Sequence, residues 1–166
     1  MNAIKYQIGD TIYHPQHGIG TVRDYDKKEL LGAEHKFAIL FFPREELQIS
    51  LPAKKLNDTV REPLTESKAR ELLSEMSDIQ ESPNKSWKIR SRQNQERLAS
   101  GDPIQLYLVY RGLLELRNQK GSLNNSDRRQ LTQSLELLAE ELAVALGKTD
   151  EQARVLLEKT TALDAA

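Results

Sequence analysis

The residues best suited to chemistry lie in one short segment, KSWKIRSRQNQER, at 85–97. It holds Lys85, Lys88, Arg90, Arg92 and Arg97 against Glu96 alone, a local charge of +4, and it contains the only Trp of the chain, Trp87. Read as a helix with steps of about 100° per residue, it sets Lys88 and Arg92 on one side of Trp87 and Arg90 and Arg97 on the other. An aromatic ring between two basic flanks suits nucleic acid. The cations meet phosphates, and the ring stacks on bases or wedges between them. The same residues also fit a helix whose Trp anchors a core and whose charges are solvated. Ile89, nearly opposite Trp87 and Leu98, breaks any clean apolar stripe and weighs against full burial.

Other candidate chemistry is weaker. His14 and His17 sit three apart in HPQH, while His35 is distant. A metal would need a third ligand and supporting partners, and Pro15 and Gly18 are explained more simply by a turn, so no metal is expected. No GxSxG elbow and no GxxxxGK[ST] loop occurs, and Gly18-Ile19-Gly20 is too short for a dinucleotide fingerprint. Glu45-Glu46 and Glu140-Glu141 are adjacent pairs, which do not face each other on a strand or a helix. The expectation is a non-enzyme without cofactors.

The elements that must position Trp87 follow from the rest of the pattern. The chain has 166 residues, 24 Lys+Arg against 25 Asp+Glu, 5% aromatic residues and no Cys. Disulfides, thiolate metal sites and Cys nucleophiles are thereby excluded. No apolar run suits a membrane helix and the N-terminus has no apolar signal core, so a cytoplasmic protein without membrane contact is expected. Short strands fill the first sixty or so residues: TIYH, the segment after the PQHGIG turn, the apolar run KFAILFF as a central strand, and LQISLP with alternating faces. Four or five short strands with tight turns suggest a small SH3-like or Tudor-like barrel. Residues 52–63 carry the chain out.

From Thr65 the periodicity turns helical. Ala69, Leu72, Leu73 and Met76 share a stripe. Pro83 suits a helix start, and the Trp87 segment ends at Ser100-Gly101. Asp102-Pro103 opens a third helix. Ser126 caps a fourth, and Thr149 with Gln152 forms a capping box for a fifth. The leucine stripes of the third and fourth helices read as intramolecular core, and a monomer is expected. The fold class is therefore α+β in two domains: 1–62, a small SH3/Tudor-like β-barrel, and 63–166, an all-α domain of about five helices.

Two stretches resemble the CarD family of bacterial transcription regulators. YQIGDTIYHPQHGIGTV resembles the family's opening, with Gly9, Asp10, Pro15, Gly18 and Val22 in matching places. SWKIRSRQNQERLASGD resembles its Trp-containing helix, W-x-x-R-x-[RK]-x-N-x-x-[KR]-L-A-S-G-[DN]; Trp87, Arg90, Arg92, Asn94, Arg97, Leu98, Gly101 and Asp102 match. The first motif is shared with KOW-type barrels. The second, at this distance from the first, is specific.

The resemblance implies that the N-terminal module, found also in the transcription–repair coupling factor, binds the β subunit of bacterial RNA polymerase. It implies that the helical domain touches promoter DNA at the upstream edge of the melted bubble, with little sequence specificity, where the Trp wedges into the minor groove and hinders closing. Carried over, Trp87 is the wedge, and Lys88, Arg90 and Arg92 are phosphate or groove contacts, with Arg97 on the same segment. Arg128, or its neighbour Arg129, falls near a second basic DNA-facing position. Lys28 aligns with a family Arg of the β contact. Ser50 stands where some members have a second Arg, a departure that would move the contact to Lys36 or Arg44. Two other readings stay open: an interaction adaptor with a buried Trp87, and a KOW-like RNA-binding barrel.

Overall fold

The structure is a computed structural model that describes residues 3–161 and 163. The chain divides into two compact units, Met1–Pro63 and Leu64–Ala166. In the first, β1 (Thr11–His14), β2 (Gly18–Leu30), β3 (Ala33–Phe42) and β4 (Leu47–Pro52) form one antiparallel sheet in the order β1-β2-β3-β4. The sheet curls into a half-barrel. Its curvature has a local source: the β2–β3 register shifts between Val22 and Asp24, and such bulges bend a strand and raise its twist. The apolar run becomes the inner strand β3, whose Ala38, Leu40 and Phe42 point into the core and whose Phe37, Ile39 and Phe41 remain half-buried on the other face.

The small barrel expected from the strand pattern is a half-barrel of four strands, completed by other elements. A 3-10 turn (Ala53–Lys55) runs into a short helix, α1 (Leu56–Thr59), and Leu56 and Val60 join Tyr6, Ile12, Val22, Ala38, Leu40 and Phe42 in the core. Beyond β1 a single bridge pairs Tyr13 with Arg61, through N–H···O bonds of 2.8 and 3.0 Å. Gly20 lies opposite Ile12 in the β1–β2 ladder. A Cβ there would lie 2.6 Å from the Phe42 ring and 2.9 Å from the Phe41 carbonyl oxygen, so this position admits no side chain.

The second unit contains α2 (Glu66–Ser77), α3 (Trp87–Ser100), α4 (Pro103–Lys120), α5 (Asn125–Leu146) and α6 (Asp150–Thr160). With α1 the described residues hold six α-helices, not about five. The extra one has only four residues, too few to show a helical period in sequence. Helix α4 is the central element, buried at Leu106, Tyr107, Val109, Tyr110, Leu113 and Leu116. Asp102 caps it, accepting from the Ile104 N–H at 2.9 Å, and Thr149 with Gln152 forms the capping box of α6. Two termini differ from the sequence reading. Asn124, not Ser126, caps α5, and α3 begins at Trp87 rather than at Pro83, which lies in the preceding loop against Gly112. No helix among the described residues is long and apolar enough to cross a membrane.

Candidate functional site

Helix α3 has no apolar stripe because its inner face is polar. Its buried residues are Arg90, Asn94 and Leu98, at i, i+4 and i+8. Arg90 is 3% exposed and Asp127 2%. The guanidinium donates from Nε to Asp127 Oδ1 at 3.2 Å and from Nη2 to Oδ2 at 2.8 Å, a bidentate pair. Its remaining nitrogen, Nη1, donates to the Asn84 carbonyl at 2.9 Å. One turn on, Asn94 donates to Gln130 Oε1 at 3.2 Å, and Gln130 Nε2 donates to the Ser91 carbonyl at 3.2 Å. Successive contacts thus pair 90 with 127 and 94 with 130. The helices therefore run side by side in the same direction, with their N-terminal ends together. Both ends carry the partial positive charge of a helix start.

A loop fixes this arrangement from the other side. Glu81 accepts from Arg97 at 2.8 Å through its carboxylate and from Arg111 at 2.8 Å through its carbonyl. The segment before Trp87 is thus tied to α3, α4 and, through Arg90, to α5.

Trp87 sits at the tip of this assembly, 57% exposed, with Lys88 Nζ 5.7 Å from its ring centroid. An adaptor with a buried Trp would need that indole inside. Lys88 and Arg92 are exposed on one flank, and among the described residues neither side chain forms a hydrogen bond or ion pair within the protein. The other flank differs. Arg90, grouped with the surface cations in the sequence reading, is turned inward and saturated by Asp127 and Asn84. Arg97 is half-buried and paired with Glu81. Arg128 is exposed at the start of α5, its guanidinium donating to the Leu123 carbonyl at 3.1 and 3.3 Å, and Arg129 is exposed beside it. The structure therefore leaves Trp87, Lys88 and Arg92 exposed on a helix whose start lies against the first turn of α5, and it withdraws Arg90 and Arg97.

Asp127, Gln130 and Asn124 were missed by the sequence reading. The available signal was the Arg90–Asn94–Leu98 spacing, which puts a cation and an amide where an apolar stripe belongs. Nothing in sequence points from Arg90 to a carboxylate 37 positions on.

In the first unit, ladder register decides which candidates share a face. Lys28 pairs with His35, and Ser50 with Ile39. Side chains alternate along a strand, so both lie on the face of Phe37, Ile39 and Phe41. Lys28 Nζ stands 5.5 Å from the Phe37 ring and the Arg23 guanidinium 4.0 Å from that of Phe41. Lys36 pairs with Lys27 and sits over Tyr25 at 4.7 Å, on the opposite face. Arg44 is exposed after β3, donating to the His17 carbonyl at 3.3 Å. His14 and His17 stack with centroids 4.7 Å apart, and His17 Nδ1 bonds Glu45 at 3.0 Å. Burial, and then His17, lowers the His14 pKa. Among the described residues no group of three or more ligating side chains gathers as a metal site.

Comparison with known proteins covers both units. Residues 70–158 match the family described as CarD, C-terminal domain, and residues 6–63 match the CarD-like/TRCF RID domain. The Bacillus subtilis (strain 168) protein named "Putative transcription factor YdeB" is 27% identical over 148 residues, 89% of this chain and 96% of that protein.

Proposed function

The chain belongs to the CarD family, which is a family of transcription factors with an RNA-polymerase-interacting domain and not one of enzymes; from that premise we propose that it tethers promoter DNA to RNA polymerase and holds the promoter open. The first unit binds the β subunit. The second binds DNA at the upstream edge of the bubble, with Trp87 as a minor-groove wedge. The protein acts as a monomer in the cytoplasm, on polymerase at the nucleoid.

One observation carries the DNA half: an exposed indole at the joined N-terminal ends of α3 and α5, flanked by Lys88 and Arg92, cations that form no hydrogen bond or ion pair among the described residues. A wedge costs a few kcal/mol of unstacking per base step, and contacts to the distorted duplex must offset it. Lys88, Arg92 and Arg128 or Arg129 supply phosphate contacts. Arg90 acts through Trp87, by fixing the turn that presents it. If the wedge fits melted DNA better than closed duplex, it shifts that equilibrium by the difference in affinity. For the polymerase half, the face that carries Lys28, Ser50, Phe37, Ile39 and Phe41 is the contact. It joins an apolar strip to a cation, and Ser50 leaves it one charge short of the family pattern. Lys36, on the other face, is not part of it.

The test is the lifetime of open complexes formed with the cognate polymerase. Wild type should lengthen it, and Trp87→Ala should abolish that gain while still capturing the β subunit in a pull-down. A Trp87→Ala protein that still lengthens the lifetime would overturn the wedge.

A further inference from the structure

Beside Trp87 lies a slot of about 490 Å³, inside the range that holds small organic ligands. Trp87 forms one wall, Leu116 and Leu123 contribute apolar lining, and Lys120, Ser122 and Asn125 stand at the α4–α5 turn. Its surface is predominantly apolar although most lining residues are polar. The reason is that the polar groups at its base are already occupied. Arg90 and Asp127 bind each other, Asn124 accepts from the Asp127 N–H at 2.8 Å, and Ser126 faces Ser91 at 3.4 Å. What stays open is an apolar slot with an indole wall, with the exposed residues Asn125 and Lys120 among its lining. Lys88 is the neighbour of that Trp.

This combination fits one chemistry: a flat heterocycle with a polar edge and an attached phosphate. Aromatic walls hold unpaired bases by stacking in a sequence-tolerant way. The surrounding charge selects a polyanion over an apolar peptide. We infer that the slot receives one unpaired nucleotide of the promoter, the base displaced by the Trp87 wedge. The inference rests on the wedge reading and deepens it. A wedge without a receiver pays the whole unstacking penalty, whereas a base restacked on the other side of the indole recovers part of it.

The experiment measures open-complex lifetime, with cognate polymerase, as the ratio with and without this protein. The promoters carry a single abasic residue walked through the upstream fork on either strand. Ser122→Phe, at an exposed turn position that lines the slot, fills it while Trp87, Arg90 and Asp127 stay unsubstituted. One abasic position should cut the wild-type ratio by about fivefold or more, the low end for stacking one base on an aromatic. Ser122→Phe should show the same loss on intact DNA and no further loss on that abasic template. If Trp87→Ala abolishes the ratio but neither any abasic position nor Ser122→Phe changes it, the slot is empty in the complex and the wedge stands alone. If Trp87→Ala has no effect, wedge and slot fall together.

Discussion

Asp127 is a carboxylate sealed against a guanidinium, and removing it differs from removing a surface charge. The Asp127→Ala variant would leave Arg90 buried, charged and without its counter-ion. Breaking a buried pair by deleting one partner costs about 3–5 kcal/mol, far more than the net worth of the pair. The second unit should lose about that much stability to urea. Trp87, as the only Trp, is a fluorescence probe that lies within that unit. Arg92→Ala, at an exposed side chain, should stay within about 0.5 kcal/mol of wild type. Replacing both partners together, as Arg90→Met with Asp127→Leu, should restore much of the loss, since apolar groups of similar volume need no counter-charge. A loss below about 1 kcal/mol in Asp127→Ala would mean that the pair is open in solution and that Arg90 is available to DNA after all.

At the scale of elements, what was legible depended on how long a pattern ran. KFAILFF announces an inner strand because it is apolar on both faces, and Asp102-Pro103 and Thr149-Gln152 announce helix starts because their caps are local. Helix α1 is too short to repeat, and Asn124 and Ser126 are both good caps; the helix uses Asn124, which accepts from the Asp127 N–H, while Ser126 lies in the first turn facing Ser91. Closure of the first unit was illegible for a similar reason: Leu56 and Val60 enter the sheet's core from a turn and a helix, without strand alternation. Gly20 shows the reverse case, a residue that reads as a turn glycine but is needed in mid-ladder. Gly20→Ala pushes a methyl into the ring of Phe42, which is fully buried, and against the Phe41 carbonyl. Neither can retreat cheaply, so the first unit should lose about 1–3 kcal/mol. Amide exchange in β1, β2 and β3 would rise accordingly while that of α4 and α5 stays unchanged. Unaltered protection in the sheet would show that the hairpin relaxes around the methyl.

For the whole molecule, net charge sets how the two units divide the work. The chain is at −1, and the basic excess of residues 85–97 shrinks once burial is counted: Arg90 and Arg97 are spent on Asp127 and Glu81, leaving Lys85, Lys88 and Arg92. The sequence shows where the cations are but not which are already neutralised, because their partners lie on a loop and on another helix. So few free cations bind DNA weakly, and a second attachment to polymerase raises the effective concentration at the promoter. This picture has a quantitative signature. Each phosphate neutralised on duplex DNA contributes about −0.9 to the slope of log K against log salt. For the isolated protein on promoter DNA, Arg92→Gln should make that slope shallower by about 0.9, whereas Arg97→Gln should leave it unchanged. Lys88→Gln should act like Arg92→Gln, and the double variant should lose both increments, because these side chains reach phosphate independently. A slope that flattens equally for Arg97→Gln would mean that Glu81 gives up its partner when DNA arrives, and the loop that steadies Trp87 would then have to open for binding.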